Sequence, residues 1–96
     1  MYVTITLDLH SATPKQRDRF AKAMSALRWT KIGAVSTAWV CGQFHDGHTQ
    51  AEYADGAEVD VRKAAKAAGI ARWELVAVAS QAKPQVRRSQ RILLAK

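Results

Sequence analysis

The carboxyl end of the first predicted strand carries two side chains that could do chemistry. Residues 2–10 read Tyr-Val-Thr-Ile-Thr-Leu-Asp-Leu-His, and the spacing of Asp8 and His10 puts both on one face of an extended chain. A carboxylate is a hard oxygen ligand for Mg²⁺, and an imidazole can act as a general base. Asp8 is therefore a candidate metal ligand and catalytic residue, and His10 is a candidate catalytic base. The structural alternative is that Asp8 starts a turn or caps the next helix with Ser11, while His10 is an inert surface residue.

A second group of possible ligands is Cys41, His45, Asp46 and His48. Zinc sites need several thiolate or imidazole ligands at compatible spacing, and this chain has one cysteine with no second Cys or His pair to follow. A Cys–His nucleophile stays open, although no third residue that would orient it is evident. The spacing favours a polar solvated loop. The sequence contains no Walker or dinucleotide-binding pattern.

The charge balance points to a polyanionic partner. Fifteen Lys and Arg residues against eight Asp and Glu residues give a net charge of +7, which favours nucleic acid over a membrane surface. The predicted phosphate contacts are Lys15, Arg19, Lys22, Arg28, Lys31, Arg87, Arg88 and Arg91. The alternative is that these side chains form an ordinary solvated surface. The tryptophans fit a core or an interface better than a base-stacking platform.

Composition limits the chain to one domain. Its 96 residues are 48% hydrophobic, which excludes disorder, and no apolar run is long enough to span a membrane. The absence of a secretory pattern and the single cysteine predict a cytoplasmic protein. We expect a folded domain over residues 1–81 and a basic C-terminal extension over residues 82–96.

Periodicity predicts the elements that must position these residues. Strict alternation over residues 2–10 predicts a strand buried on one face. Thr13-Pro14-Lys15-Gln16 is typical of a capped helix start, and the helix is expected to reach about Trp29. Two strands with a turn near Ser36 are expected between Thr30 and Phe44, and a loop over residues 45–56.

The second half of the chain predicts a helix and a strand. Asp55-Gly56-Ala57-Glu58 resembles a capping box, so a second helix is expected after Asp55, with Gly69 as its C-terminal cap. A last strand is expected over residues 72–80, apolar on both faces and therefore central or covered on both sides. The order strand, helix, strand, strand, helix, strand predicts an α+β, ferredoxin-like split βαβ fold with both helices on one sheet face. The uncovered face, which carries Thr4, Thr6 and Asp8, favours dimerisation.

Short motifs add a family resemblance over about residues 2–80. The segments Val3-Thr4-Ile5-Thr6-Leu7-Asp8-Leu9, Leu27-Arg28-Trp29, Val35-Ser36-Thr37-Ala38-Trp39-Val40 and Glu74-Leu75-Val76-Ala77-Val78 stand in this order. Together they resemble the small CRISPR-associated spacer-acquisition subunit and its SinR-like and VapD-like relatives. The chain departs from that pattern where Ser36-Thr37-Ala38-Trp39 replaces a Ser-Val-Phe segment.

The resemblance implies a homodimer with its sheets face to face and a C-terminal segment that exchanges onto the partner. It also implies that Asp8 and its dimer mate hold one Mg²⁺ that could activate water against a phosphodiester. Two hypotheses follow. The first is a small dimeric nucleic-acid-binding protein that could act as a weak metal-dependent endonuclease on RNA or DNA. The second is a non-enzymatic interaction or regulatory module, such as a mobile-element regulator or inhibitor of a nucleic-acid machine.

Overall fold

The computed structural model describes residues 1–33 and 37–87. The predicted turn at Ser36 and the predicted phosphate contacts Arg88 and Arg91 lie outside those residues. The secondary-structure elements, in chain order, are β1 (Tyr2–Leu9), α1 (Pro14–Ala26), β2 (Thr30–Lys31), β3 (Ala38–Cys41), α2 (Gln50–Ala68) and β4 (Trp73–Ser80). The chain is a small α+β fold with a four-stranded antiparallel sheet and two helices. Neither described helix is long and apolar enough to cross a membrane.

The sheet has the strand order β2-β3-β1-β4, so β1 is central. Along β1, Val3, Ile5, Leu7 and Leu9 are buried, which confirms the predicted alternation. The residues between them lie on the other sheet face, and we call this side the open face. Asp8 pairs directly with Glu74 of β4, and Thr4 pairs with both Val40 and Val78.

The core lies between the sheet and the two helices. The buried face of β1 packs with Phe20 and Met24 of α1 and with the small-residue stripe of α2. That stripe is buried at Val61, Ala64, Ala65 and Ala68. Burying one large apolar side chain is worth about 1.5–3 kcal/mol relative to leaving it exposed. Phe20 of α1 also packs edge-on against Trp39 of β3, with the ring centroids 6.2 Å apart.

Helix α1 starts as predicted but ends earlier than expected. Thr13 and Gln16 form a reciprocal capping box, and Pro14 is the first helical residue. The helix ends at Ala26 rather than near Trp29. The backbone N–H groups of Arg28 and Trp29 donate to the carbonyls of Ser25 and Met24, and this pattern closes the helix.

The predicted start of α2 is wrong. Thr49 and Glu52 form the capping box that begins this helix, six residues before Asp55. Gly56 lies inside the helix, and a Cβ there would stand 2.7 Å from Cε1 of Phe44. The close approach of Phe44, and not a loop conformation, explains why residue 56 is a glycine. The predicted C-terminal cap is confirmed, since Gly69 has a left-handed φ of 74°.

The strands of the second half also differ from expectation. β2 and β3 are shorter than the predicted segments, with two and four residues. The prediction that β4 is central or covered on both faces is wrong, because β4 is an edge strand. Val76 and Val78 are 72% and 56% exposed on the open face. The apolar residues on the second face of β4 are therefore exposed, and no other described residue covers them.

Candidate functional site

Asp8 lies on the open face, 69% exposed, at the end of the sheet where β1 leads towards α1. It does not cap that helix, because Thr13 occupies the capping position. The alternative hypothesis that Asp8 caps the next helix is therefore wrong. Its neighbour across the strands is Glu74, whose side chain is 80% exposed.

His10 lies between these two carboxylates. Its Nε2 is 3.8 Å from Oδ2 of Asp8 and 3.6 Å from Oε1 of Glu74. Like charges that face each other across two strands destabilise a sheet, and a protonated imidazole between them would offset that cost. Sequence reasoning missed Glu74, since only the strand register brings it beside Asp8. No group of three or more potential metal ligands is found within the described residues. The roles predicted for Asp8 and His10 stay predictions.

The second feature is a groove between α1 and the edge of the sheet. Arg17, Ala21 and Ser25 are spaced by four residues and so share one flank of the helix, and Arg28 follows where the helix has ended. Across from them stand Lys31 of β2 and Trp39 of β3. Two adjoining clefts share Ala21, Lys31 and Trp39, and the larger has a volume of about 520 Å³. The small side chains Ala21 and Ser25 leave this space open.

Arg17, Arg28 and Lys31 line the clefts, and we call them together the cationic groove. Arg17 is held at one end, where its Nη2 donates to the carbonyl of Leu9 at 3.3 Å. The ammonium of Lys31 lies 5.6 Å from the centroid of the Trp39 ring. Trp39 is itself buried and forms one wall of the groove.

The cationic groove is electrostatically unbalanced. None of the described residues that line the two clefts is acidic. Arg17, Arg28 and Lys31 form no ion pair within the described part of the chain, where all eight side-chain carboxylates lie. By contrast, Arg62 on α2 pairs with Glu58 at 3.0 Å. Three cations that form no ion pair, gathered around one groove, are suited to an anion.

The remaining predicted cations do not all join this groove. Arg28 and Lys31 lie in it, whereas Lys15, Arg19 and Lys22 follow the exposed side of α1 that points away from the core. Arg87 is exposed in the C-terminal segment. Sequence reasoning missed Arg17, because helical spacing puts it on a different side of α1 from Lys15, Arg19 and Lys22. Its signal was the four-residue interval to Ala21 and Ser25.

The Cys41–His48 segment has structural contacts. Burial raises the pKa of the buried Cys41 thiol, which disfavours the thiolate that a nucleophile requires. Asp46 pairs with the N-terminal amine at 3.0 Å, and His48 lies 3.7 Å from Glu52. The carbonyl of His45 accepts a hydrogen bond from the Tyr53 hydroxyl. These contacts favour the polar-loop interpretation over a metal cluster.

Two of the tryptophans are core residues, as expected. Trp29 and Trp39 are buried, and Nε1 of Trp29 donates to Oδ2 of Asp60 at 2.9 Å. Trp73 is half-buried, with the guanidinium of Arg62 5.6 Å from its ring centroid. Neither buried indole can present a face to a nucleic-acid base.

Comparison with known proteins gives no relative: no family model, curated protein or solved structure matches the chain.

Proposed function

We propose that this protein binds nucleic acid through the cationic groove. One observation carries the proposal: Arg17, Arg28 and Lys31 line two adjoining clefts where no described residue is acidic. Neutralising phosphates with Lys and Arg supplies most of the non-specific affinity of proteins for nucleic acid. The net charge of +7 supports the same class of partner.

The groove is suited to the sugar–phosphate backbone and not to the bases. Base recognition in single strands relies on exposed aromatic faces, and both tryptophans near the groove are buried. Arg17 and Arg28 are separated by eleven residues along α1 and its cap, which is about 16 Å at the rise of a helix. Three cations over that distance can contact a few phosphates of the backbone, and such contacts carry no information about the bases. The expected binding is therefore independent of sequence.

The ferredoxin-like assignment belongs to this proposal. The element order β1-α1-β2-β3-α2-β4 and the strand order β2-β3-β1-β4 support it. This fold has many functions, so it does not select among them. The relationship to the CRISPR-associated and VapD-like proteins, with its homodimer, likewise stays a proposal resting on the short motifs quoted above.

Two double variants with the same change of net charge test the proposal. The groove variant is Arg28→Gln with Lys31→Gln, and the matched control on exposed α2 positions is Lys63→Gln with Lys66→Gln. Fluorescence anisotropy with labelled duplex and single-stranded oligonucleotides at several salt concentrations gives affinity and its salt dependence. We expect the groove variant to lose at least about tenfold in affinity and to flatten the salt slope by about two units. The control should stay within about twofold. Equal losses in both variants, or wild-type binding that ignores salt, would refute the groove.

A catalytic form of the function would involve Asp8. Mg²⁺ is commonly held by one or two carboxylates and keeps several waters, and Asp8 with Glu74 supplies such a donor pair on the open face. His10 is close enough to both to orient water or accept a proton. Incubating RNA and DNA with Mg²⁺ or Mn²⁺ tests this form. Cleavage that disappears in Asp8→Asn supports it, and uncut substrates with both metals reject it.

The second candidate is a non-enzymatic interaction module. The observation that favours it is the exposure of Val76 and Val78 on the open face. In that case the groove double variant keeps its binding to the protein partner, whereas a polar substitution of Val76 removes that binding. Substitutions in the cationic groove and on the open face therefore distinguish the nucleic-acid-binding function from the interaction module.

A further inference from the structure

The outer edge of β4 has a defined set of unpaired backbone groups. The N–H of Leu7 donates to Thr37 and the N–H of His10 donates to Arg72, so odd residues of β1 face β3 and even residues face β4. In the observed register, even residues of β4 then bond to β1. The odd residues Trp73, Leu75, Ala77 and Ala79 direct their N–H and C=O groups away from the sheet.

Gln50 satisfies the last of these residues. Its side-chain Nε2 donates to the carbonyl of Ala79 at 3.0 Å, and the N–H of Ala79 donates to its Oε1 at 2.8 Å. The primary amide thereby substitutes for one residue of a neighbouring strand. For Trp73, Leu75 and Ala77, the described residues provide no such partner.

The two edges of the sheet are protected very differently. β2 is only two residues long, and one of them is Lys31. Short length and a lysine side chain both hinder the pairing of an edge strand with another chain. β4 has eight residues with neither Lys nor Pro, and exposed valines line its open face. A long, mostly apolar edge whose only charged side chain is Glu74, and which no strand of the described chain pairs, is a site of strand addition.

The C-terminal segment leads away from this edge. Cγ1 of Val86 lies 3.0 Å from the position that a Cβ on Gly33 would take. Gly33 follows β2, at the opposite edge of the sheet. By residue 86 the chain has thus crossed the width of the sheet, so the described part of this segment leaves β4 open.

We propose that β4 pairs with β4 of a second copy of this chain. The free window is symmetric about Leu75, so an antiparallel twofold places Trp73 opposite the partner's Ala77 and Leu75 opposite the partner's Leu75. All three pairs then bring outward-facing residues together, and each pair exchanges two hydrogen bonds. A shift towards Ala79 meets Gln50, and a shift the other way passes the start of the strand. Of the possible antiparallel registers between two β4 strands, the one centred on Leu75 therefore pairs the most free backbone groups.

The pairing builds an eight-stranded sheet with all four helices on one face. Its outer strands are separated by seven interstrand spacings, about 34 Å, which matches one turn of a duplex. This consequence rests on the proposed function, since the cationic grooves occupy those outer ends. The two Asp8 residues lie on strands three spacings apart, about 14 Å. This assembly therefore differs from the face-to-face dimer with a shared metal that the resemblance implies.

Ala77→Pro tests the pairing directly. Its N–H points outward and bonds no described residue, so proline is compatible with the monomer but removes a donor from the interface. Light scattering after size exclusion should give a dimer for the full wild-type chain and a monomer for the variant, with unchanged circular dichroism. A monomeric wild type, or a folded variant that stays dimeric, overturns the proposal.

Two substitutions of Val76 test the register even if the proline variant fails to fold. Residue 76 lies opposite the partner's Glu74 in the proposed pairing. Val76→Lys should tighten the dimer and Val76→Glu should loosen it, each by about threefold or more in dissociation constant. The same two substitutions at exposed Val59 of α2 are the matched control and should change nothing. Equal effects of Lys and Glu at position 76 reject this register. Because dimerisation is measured without nucleic acid, these results do not depend on the groove.

Discussion

Arg28 occupies, at the end of α1, the position that Gly69 occupies at the end of α2. Their φ angles are 71° and 74°, and the residue after each donates its N–H to the carbonyl five residues earlier. Glycine is favoured at this left-handed position because any Cβ there is strained. The left-handed arginine at this position carries a strain that glycine would avoid, and this observation fits the proposed role of its guanidinium in the cationic groove.

Replacing Arg28 with glycine should therefore separate stability from binding. Arg28→Gly relieves the left-handed strain, so we expect the free energy of unfolding to rise by up to about 1 kcal/mol. The same change removes a groove cation and should weaken nucleic-acid binding several-fold. Urea denaturation and fluorescence anisotropy measure the two effects on one sample. A variant that loses stability, or keeps full affinity, contradicts this account of Arg28.

The hydrogen bond from Trp29 to Asp60 joins the end of α1 to the middle of α2. Trp29 is 2% exposed, so losing its acceptor leaves an indole N–H unsatisfied in the core. Asp60→Ala should lower the free energy of unfolding by about 1–3 kcal/mol. Asp60→Asn keeps an acceptor and should cost less. The matched control is Asp55→Ala, an exposed carboxylate of the same helix, which should stay within about 0.5 kcal/mol.

Gly56 should be intolerant of a methyl group despite its helical position. Alanine is normally favoured over glycine in a helix by about 1 kcal/mol. Here its Cβ would lie 2.7 Å from Cε1 of Phe44. That ring packs edge-on against Trp29 and Tyr53, so it cannot move without losing contacts. Gly56→Ala should therefore destabilise the chain by about 1–3 kcal/mol.

A double-mutant cycle tests this cause. In a Phe44→Leu background, the smaller and more flexible side chain yields space, so Gly56→Ala should be neutral or stabilising. An identical cost of Gly56→Ala in both backgrounds would show that Phe44 is not the obstacle.

The local sequence was sufficient to predict those elements whose conformation depends only on their own residues. The alternation of β1, the box at Thr13 and the cap at Gly69 follow from periodicity and backbone chemistry alone. The start of α2 did not, because Thr49–Glu52 and Asp55–Glu58 are both capping patterns and Gly56 favours the later one. The glycine at position 56 is explained by Phe44, which fills the space beside it, and this tertiary contact is invisible in local sequence.

The candidate site was predictable only in part for the same reason. Arg28 and Lys31 could be selected by charge, but the groove also needs Arg17, whose place depends on how α1 lies against β2 and β3. Glu74 stands beside Asp8 only because of the β1–β4 register. The edge position of β4 could not be inferred from its own apolar pattern, since an exposed apolar face and a buried one have the same sequence.

The capping box of α2 should give the chain a defined response to acid. The backbone N–H of Thr49 donates to Oε1 of Glu52 at 2.8 Å, and this bond lowers the pKa of the carboxyl below 4.5. A group whose pKa is lower in the folded state adds stability above its unfolded pKa and loses it as the pH falls through its folded pKa. Glu52→Gln keeps a capping acceptor but does not titrate. We therefore expect the urea midpoint of the wild type to exceed that of Glu52→Gln near neutral pH. The difference should shrink to zero as the pH drops below 4.5, because only ionised Glu52 also benefits from the positive end of the helix dipole. Parallel curves for the two proteins over that range would mean that Glu52 bonds Thr49 equally well in both protonation states.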